Sequence, residues 1–296
     1  MKIGLFPNTS KGDVAQVVDQ ILSYIKKNKL EYVLSDNLLP LKNQLYQLDD
    51  KTEFFSADEI GTRCDMIVSI GGDGSMLHTA YMMRNSSTPI LGVNFGKLGF
   101  LAEFDLPGIE DFFNGLKQNN YFVEDRIALT GSCNNSSEEL YAVNDLVIDK
   151  GPWTKMIELT ILIEDVYVTT FSADGIIIAT PTGSTGYSLS TGGPIVSPGA
   201  DVITLSPIAP HTLTMRPLVV SSKQRITIKV DSPHEKIQIT CDGERVNYFK
   251  PPASIVIGKC DRPVKLIHVH NNNYFETLRK KLFWGLDARK IHKDQK

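Results

Sequence analysis

Cysteine is scarce in this chain. Four residues in 296, Cys64, Cys133, Cys241 and Cys260, form no C-x-x-C pair. That excludes a zinc ribbon and a disulfide-built scaffold, and predicts small buried thiols in a reducing compartment. Charge of one sign is not in excess either. Thirty-one Lys and Arg stand against 34 Asp and Glu, a formal net charge of −3. Such a balance argues against a protein whose main task is neutralising nucleic-acid phosphates. Long apolar runs are missing: no stretch approaches the ~18 residues of a membrane-spanning helix. The opening Met1-Lys2-Ile3-Gly4-Leu5-Phe6-Pro7-Asn8 is too short in apolar residues for a secretory signal. The expectation is a cytoplasmic protein with no nucleic-acid and no membrane partner. Internal repeats and low-complexity linkers are also lacking.

What is present is ample material for a core, 42% hydrophobic residues, in a chain long enough for about two domains. Ile3-Gly4-Leu5-Phe6 reads as a buried strand. Val14, Val17, Val18, Ile21, Leu22 and Ile25 recur at helical spacing after it. Met66-Ile67-Val68-Ser69-Ile70 is a second buried strand, running into Gly71-Gly72-Asp73-Gly74 and a helix from about Ser75. Ile90-Leu91-Gly92-Val93 is a third. Strand and helix alternate, which predicts a parallel α/β sheet. From about Arg126 the texture changes to period two: Ile157/Leu159/Ile161/Ile163, Ile226/Ile228/Val230, Ile237/Ile239/Cys241. That pattern predicts an antiparallel all-β region. The expected organisation is an α/β domain over residues 1–125 and a β-rich, sandwich-like domain over 126–271. A C-terminal helical tail, 272–296, packs back on the first domain. That tail carries seven Lys and Arg against three acids, a composition that reads as a solvated helix face.

Three segments carry chemistry. Gly71 and Gly72 end a strand and open a helix, where the backbone can approach phosphate and free N–H groups and the helix dipole favour anions. The run is not a Walker A loop. The nearest candidate, Gly92-Val93-Asn94-Phe95-Gly96-Lys97-Leu98, has the wrong spacing. Asp73 beside it could hold Mg²⁺, accept a proton from an attacking hydroxyl, or cap the helix. The second segment, Asp174 to Ser188, feeds a buried strand into a loop of Thr, Ser and Gly suited to a base edge, ribose or phosphate. In the third, Asn144-Asp145 interrupts the strand-like run Tyr141–Ile148, where such residues cap, bulge or bind. Of the 22 glycines, seven fall in residues 61–100 and six in 171–200, the two ligand-suited stretches.

The combination resembles the NAD kinase family from about Ile67 to Trp284. It is carried by Gly71-Gly72-Asp73-Gly74, Gly96-Lys97-Leu98-Gly99-Phe100-Leu101, Asn144-Asp145, Asp174-Gly175 and Thr180-Pro181-Thr182-Gly183-Ser184-Thr185-Gly186-Tyr187-Ser188. It continues through Gly192-Gly193-Pro194, Pro210-His211-Thr212-Leu213, Cys241-Asp242-Gly243 and Tyr274-Phe275-x-x-Leu278-x-x-Lys281-Leu282-x-Trp284. The resemblance implies transfer of a phosphoryl group from ATP, or polyphosphate, to the 2′-hydroxyl of the adenosine ribose of NAD, giving NADP, with NAD in a crevice between two domains. It implies Asp73 as general base, Gly71 and Gly72 at phosphate, and Gly74 adjoining the dinucleotide. Asn144 and Asp145 grip the adenosine end; Thr185, Gly186, Tyr187 and Ser190 match the segment that cradles adenine, with Thr182 and Ser188 also among the NAD contacts. Asp174 lies beside the other half of NAD, with His78, Lys155 and Glu244 as further contacts. Mg²⁺ or another divalent cation arrives with ATP, with no dedicated metal site in the protein, and the assembly is a dimer or tetramer. Two other readings have distinct signatures. A lipid kinase shares the glycine–aspartate tetrad and lacks the Thr180–Ser190 segment. A non-catalytic dinucleotide sensor does not need Asp73.

Overall fold

The computed structural model describes residues 1–10, 12–94, 99–118, 120–270 and 273–285. The chain divides into two compact units, one of residues 1–124 with 265–296, the other of 125–264.

The first unit is an α/β layer structure. Its seven-stranded sheet runs in the order Phe54–Phe55, Glu31–Ser35, Lys2–Pro7, Met66–Gly71, Ile90–Asn94, Val264–Val269, Tyr121–Arg126. The first six are joined by parallel pairings. Parallel strands are covered on both faces and so read as apolar runs; Lys2–Pro7 and Met66–Gly71 are buried almost throughout. Helix Val14–Lys27 turns Val14, Val17, Val18, Ile21, Leu22 and Ile25 inward, the stripe its spacing predicts. Residues 36–60, which have little periodicity, form a 3₁₀ stretch, Asp36–Gln44, a two-residue strand and a one-turn helix, Ala57–Ile60. The chain winds outward one way from Lys2–Pro7 and the other way from Met66–Gly71. The sheet's topological switch point therefore lies between these two strands, and in open α/β sheets ligands bind beyond the carboxyl ends of strands at such a point.

The boundary expected at 271 falls at 264 in the structure. Val264–Val269 pairs in parallel with Ile90–Asn94, Leu266 opposite Ile90. It is a strand of the first unit's sheet that its β-branched composition cannot distinguish from the antiparallel strands before it. Helix Tyr274–Leu282 follows; the rest of the basic tail, 286–296, and residues 271 and 272 lie outside the described residues.

The second unit is all β, with two six-stranded antiparallel sheets. One runs Val166–Ala173, Ile157–Ile163, Ile226–Asp231, Ala253–Lys259, Leu129–Cys133, Glu139–Ala142. The other runs Leu218–Ser221, Val202–Ile208, Gly175–Ala179, Asp145–Asp149, Ile237–Cys241, Arg245–Phe249. Inward residues of both sheets form one core that includes Leu146, Leu159, Ile161, Ile228, Val230, Ile239 and Cys241, as the period-two alternation requires. Burial pushes the Cys241 thiol up to about 11 and the Cys64 thiol up to about 12, so both stay neutral. None of the described helices is long and apolar enough to cross a membrane.

Candidate active site

The glycine–aspartate turn of the first unit lies at the carboxyl end of Met66–Gly71, on the switch point. The helix that follows is Asp73–Met82, two residues earlier than its apolar spacing indicates. Asp73 is thus the first helical residue, and its carboxylate does not cap the helix. Its Oδ2 accepts from the Phe100 amide at 2.8 Å; its Oδ1 accepts from the Leu101 and Ala102 amides at 2.9 and 3.2 Å. Lys281 Nζ lies 3.4 Å from Oδ2. The first N–H groups of a helix have no intrahelical partner. Here they open where the Gly72 Cα has nothing within 4 Å of where a Cβ would stand. Gly99 is the opposite case: a Cβ there would sit 2.0 Å from Asp73 Oδ1, so only glycine lets the turn close on the carboxylate. Asn8, after the first strand, donates from its amide to Ser75 Oγ at 3.1 Å and binds the Ile70 carbonyl through its backbone. Gly74 is exposed; His78, in the second turn of the helix, is exposed and 6.0 Å from the Phe6 ring. Residues 95–98, with the Gly96-Lys97-Leu98 part of the motif, lie outside the described residues.

In the second unit Asn144-Asp145 does not interrupt a strand. The chain passes there from one sheet to the other, between Glu139–Ala142 and Asp145–Asp149. Asp174 stands at a second crossing, between Val166–Ala173 and Gly175–Ala179. Crossings break the ladder and free polar groups for other partners. At the first, the Asp242 carboxylate accepts from the amides of Val143, Asn144 and Asp145 at 2.7–3.3 Å and is paired with Arg245 at 2.8 Å. Asp242, Gly243 and Glu244 form the three-residue hairpin turn between Cys241 and its partner Arg245, the first two with positive φ, and the Glu244 amide bonds the Cys241 carbonyl. Glu244 itself is exposed at the tip.

The Thr180–Ser190 loop emerges beside Asn144 because Ala179 pairs with Asp145. The Thr180 amide binds the Asn144 carbonyl and its hydroxyl the Val143 carbonyl. Gly183 packs so closely that a Cβ would lie 2.1 Å from the Asn144 oxygen. Most hydroxyls of the loop face inward. Thr182 accepts from Arg126, Thr185 donates to the Thr182 carbonyl, Ser188 pairs with Ser206, and Ser190 bonds the Tyr187 carbonyl. They hold the loop's shape; Gly186, Tyr187 and Ser190 are the members that present open surface. Asn144 Oδ1 is buried and has no hydrogen-bond partner among the described residues. Beside it, burial and then the negative charge of Asp242 push the Asp145 carboxyl up to about 7. An unsatisfied buried acceptor next to a desolvated carboxyl is costly to the free protein and is what a hydroxyl- or amine-bearing ligand would satisfy.

Asp174 is at the other end of the same strands, since Gly175 pairs with Asp149. By strand rise it is ~13 Å from the Asp145 end. It is ion-paired with Lys150 at 2.7 Å. Lys155 is in the exposed loop that follows, its carbonyl held by His234 Nε2 at 2.8 Å. The structure therefore gathers Asn144, Asp145, Thr182, Thr185, Gly186 and the Glu244 turn at one end, and Asp174 and Lys155 toward the other. Four participants have a role that the sequence does not announce: Asn8, the 100–102 amides, Asp242 as the clamp of 143–145, and Lys281, the last three within or beside recognisable motifs but with no chemistry assigned to them. Lys281 lies in a basic stretch that composition reads as solvated; its ammonium is instead turned to Asp73.

Residues 3–121 match the model of the ATP-NAD kinase N-terminal domain and residues 143–269 that of the ATP-NAD kinase C-terminal domain. An NAD kinase of Flavobacterium johnsoniae is 35% identical over 98% of this chain and 100% of its own. One of Geotalea daltonii is 38% identical over 92% and 97%. Among solved structures, yeast NADH kinase complexed with NADH shares the fold, with a TM-score of 0.89 at 23% identity over 97% of this chain and 88% of that one. An NAD kinase from Archaeoglobus fulgidus in complex with ATP gives a TM-score of 0.74 at 26% identity, over 96% and 99%. Fold and matches define the class first: a transferase with an α/β unit and an all-β unit. The chain belongs to the NAD kinase family, whose members phosphorylate NAD.

Proposed function

We propose that this chain transfers the γ-phosphoryl group of ATP to the 2′-hydroxyl of the adenosine ribose of NAD, giving NADP, with Asp73 as the group that receives the hydroxyl proton. The observation that carries this reading is the placement of Asp73: a carboxylate at the sheet's switch point, on the first residue of a helix whose free N–H groups suit phosphate. The second unit supports the acceptor half. Asn144 Oδ1 and the Asp145 carboxyl suit ribose or adenine donors, and Asp174, ~13 Å along the strands, suits the other nucleoside of an extended dinucleotide.

The transition state of phosphoryl transfer is loose, so a base takes the proton late and acts mainly by orienting the hydroxyl in line. Mg²⁺ enters as part of the MgATP substrate. The residues do not fit a resident ion: the Asp73 oxygens face N–H donors, and among the described residues no three His, Cys, Asp or Glu side chains cluster as a metal cage. NADP formation from NAD and MgATP tests the reading, with polyphosphate as a second donor and NADH as a second acceptor. The variant Asp73→Asn is expected to bind NAD in calorimetry and to form NADP at under a tenth of the wild-type kcat. A smaller loss, under ~1.4 kcal/mol of barrier, sinks the general-base role.

A further inference from the structure

We propose that Lys281, carried by the C-terminal helix Tyr274–Leu282, is the cation that stabilises the transferred phosphoryl group, and that in the free protein it is parked on Asp73. The inference rests on the reading of Asp73 given above and adds to it a residue which that reading leaves unassigned.

A carboxylate offers about four acceptor positions, and those of Asp73 are taken. Three go to the Phe100, Leu101 and Ala102 amides at 2.8–3.2 Å, and the fourth to Lys281 Nζ at 3.4 Å. A substrate hydroxyl can reach an Asp73 oxygen only by replacing one of these donors. The amides belong to one backbone turn locked by its fit against the carboxylate at Gly99. The ammonium is the longest contact and rides on a flexible four-carbon stem, so it is the donor that yields. It does not travel far. Lys281 Nζ also lies over the Phe100 ring, 4.6 Å from the centroid, a second attraction that keeps it beside Oδ2 when the hydroxyl enters. Phe100 thus anchors both partners, Oδ2 through its amide and Lys281 through its ring.

The consequence is chemical. The ribose 2′-oxygen forms a bond to the γ-phosphorus. The bond from that phosphorus to the β,γ-bridging oxygen breaks, and its electron pair leaves on ADP. The hydroxyl proton passes to Asp73 Oδ2. Lys281 neither gains nor loses a proton. Its charge, displaced from Asp73 by the hydroxyl, stands next to the atom under attack, where the equatorial phosphoryl oxygens carry the negative charge of the loose transition state. A fold with no Walker lysine after its phosphate-binding turn thereby obtains a cation from the far end of its sequence, 208 residues from Asp73.

The test is steady-state kinetics of NADP formation for wild type, Lys281→Met and Lys281→Arg, with NAD binding followed by calorimetry. Removing one preorganised donor to developing charge typically costs 10²–10³ in kcat. The expected result for Lys281→Met is a fall of about 100-fold in kcat with the KM for NAD changed less than about threefold, and for Lys281→Arg partial retention. A purely structural role is separated by Lys281→Cys. Alkylation with bromoethylamine, which restores an ammonium at that position, should recover activity; alkylation with iodoacetamide, which adds a neutral group, should not, with wild type treated in parallel to control for the native thiols. Wild-type activity with Lys281→Met within threefold of it overturns the inference and leaves the Asp73 reading intact. Recovery by both reagents, or by neither, also overturns it. Failure of the wild-type chain to form NADP overturns both.

Discussion

Asp145 shows what a buried, unpaired carboxyl costs the free protein. Its carboxyl is pushed up to about 7, first by burial and then by Asp242, against an ordinary value of 3.8. Between those limits the folded chain holds a proton that the unfolded chain has released. The stability that Asp145 contributes is therefore full below pH ~4 and is lost as the pH rises through about 7. Asp145→Asn cancels the loss: in thermal melts at pH 8 it should exceed wild type by ~5 °C, with the gain shrinking toward pH 5. NAD binding should move the other way. Ligand hydroxyls donating to the carboxylate favour its ionised form, so wild-type affinity should rise between pH 6 and pH 8, while the Asn variant binds weakly with a flat profile. At the same scale, Gly99→Ala places a Cβ on Asp73 Oδ1 and must displace either the turn or the carboxylate. The expected outcome is at least a tenfold loss of kcat, with a melting temperature within a few degrees of wild type and NAD affinity unchanged in calorimetry. Asp73, Asn144, Asp145 and Asp174 stand out in the sequence as candidates because each is a residue type locally out of place: an acid beside phosphate glycines, or polar residues within apolar runs. The hydroxyls of Thr182, Thr185, Ser188 and Ser190 are candidate ligand contacts by composition, and in the free protein each already has a partner in the backbone or a neighbouring side chain. Composition reports that a hydroxyl is present; only packing decides which way it points.

At the scale of elements, the hairpin Ile237–Cys241, Asp242-Gly243-Glu244, Arg245–Phe249 does more than connect strands. Its turn brings Asp242 to the sheet crossing at 143–145, where the carboxylate holds three amides and an arginine. Asp242→Ala takes the acceptor from the three amides and the carboxylate from Arg245, which keeps the Tyr141 carbonyl, and losing one member of a buried pair costs ~3–5 kcal/mol. Denaturant unfolding should show a loss of that order, with NAD binding abolished. Asp242→Asn, which keeps one acceptor oxygen, should fall between. The hairpin itself was legible from Asp-Gly between alternating runs. That both chemically suggestive acidic sites sit at sheet crossings was not, since Tyr141–Ile148 has the composition of one continuous strand. The Val264–Val269 strand shows the same ambiguity: nothing local distinguishes a strand that stays in the β unit from one that returns to the α/β sheet.

For the molecule as a whole, each unit carries its own core. The cluster around Ile3, Leu5, Ile21, Leu22, Val68 and Leu91 belongs to the first, and that around Leu129, Leu146, Leu159, Ile176, Ile228 and Ile239 to the second. Separate cores permit separate melting. Scanning calorimetry of the free chain should give a calorimetric enthalpy above the van't Hoff value. NAD at about 100 times its dissociation constant should add ~2.7 kcal/mol to the stability of the folded state that binds it.

By itself the sequence determined the alternation of strand and helix, the change to period-two texture near Arg126, and the glycine–aspartate and Thr/Gly/Ser segments, because those are patterns written within a few residues of one another. The tertiary structure alone decided what Asp73 touches, since its partners lie 27 to 208 positions away. It alone decided that Asp242 clamps Val143, Asn144 and Asp145 from 97 to 99 residues off, and that a lysine of a basic tail faces the carboxylate rather than water. Contacts at such separations follow from how sheets and helices close on one another, and no local pattern encodes them.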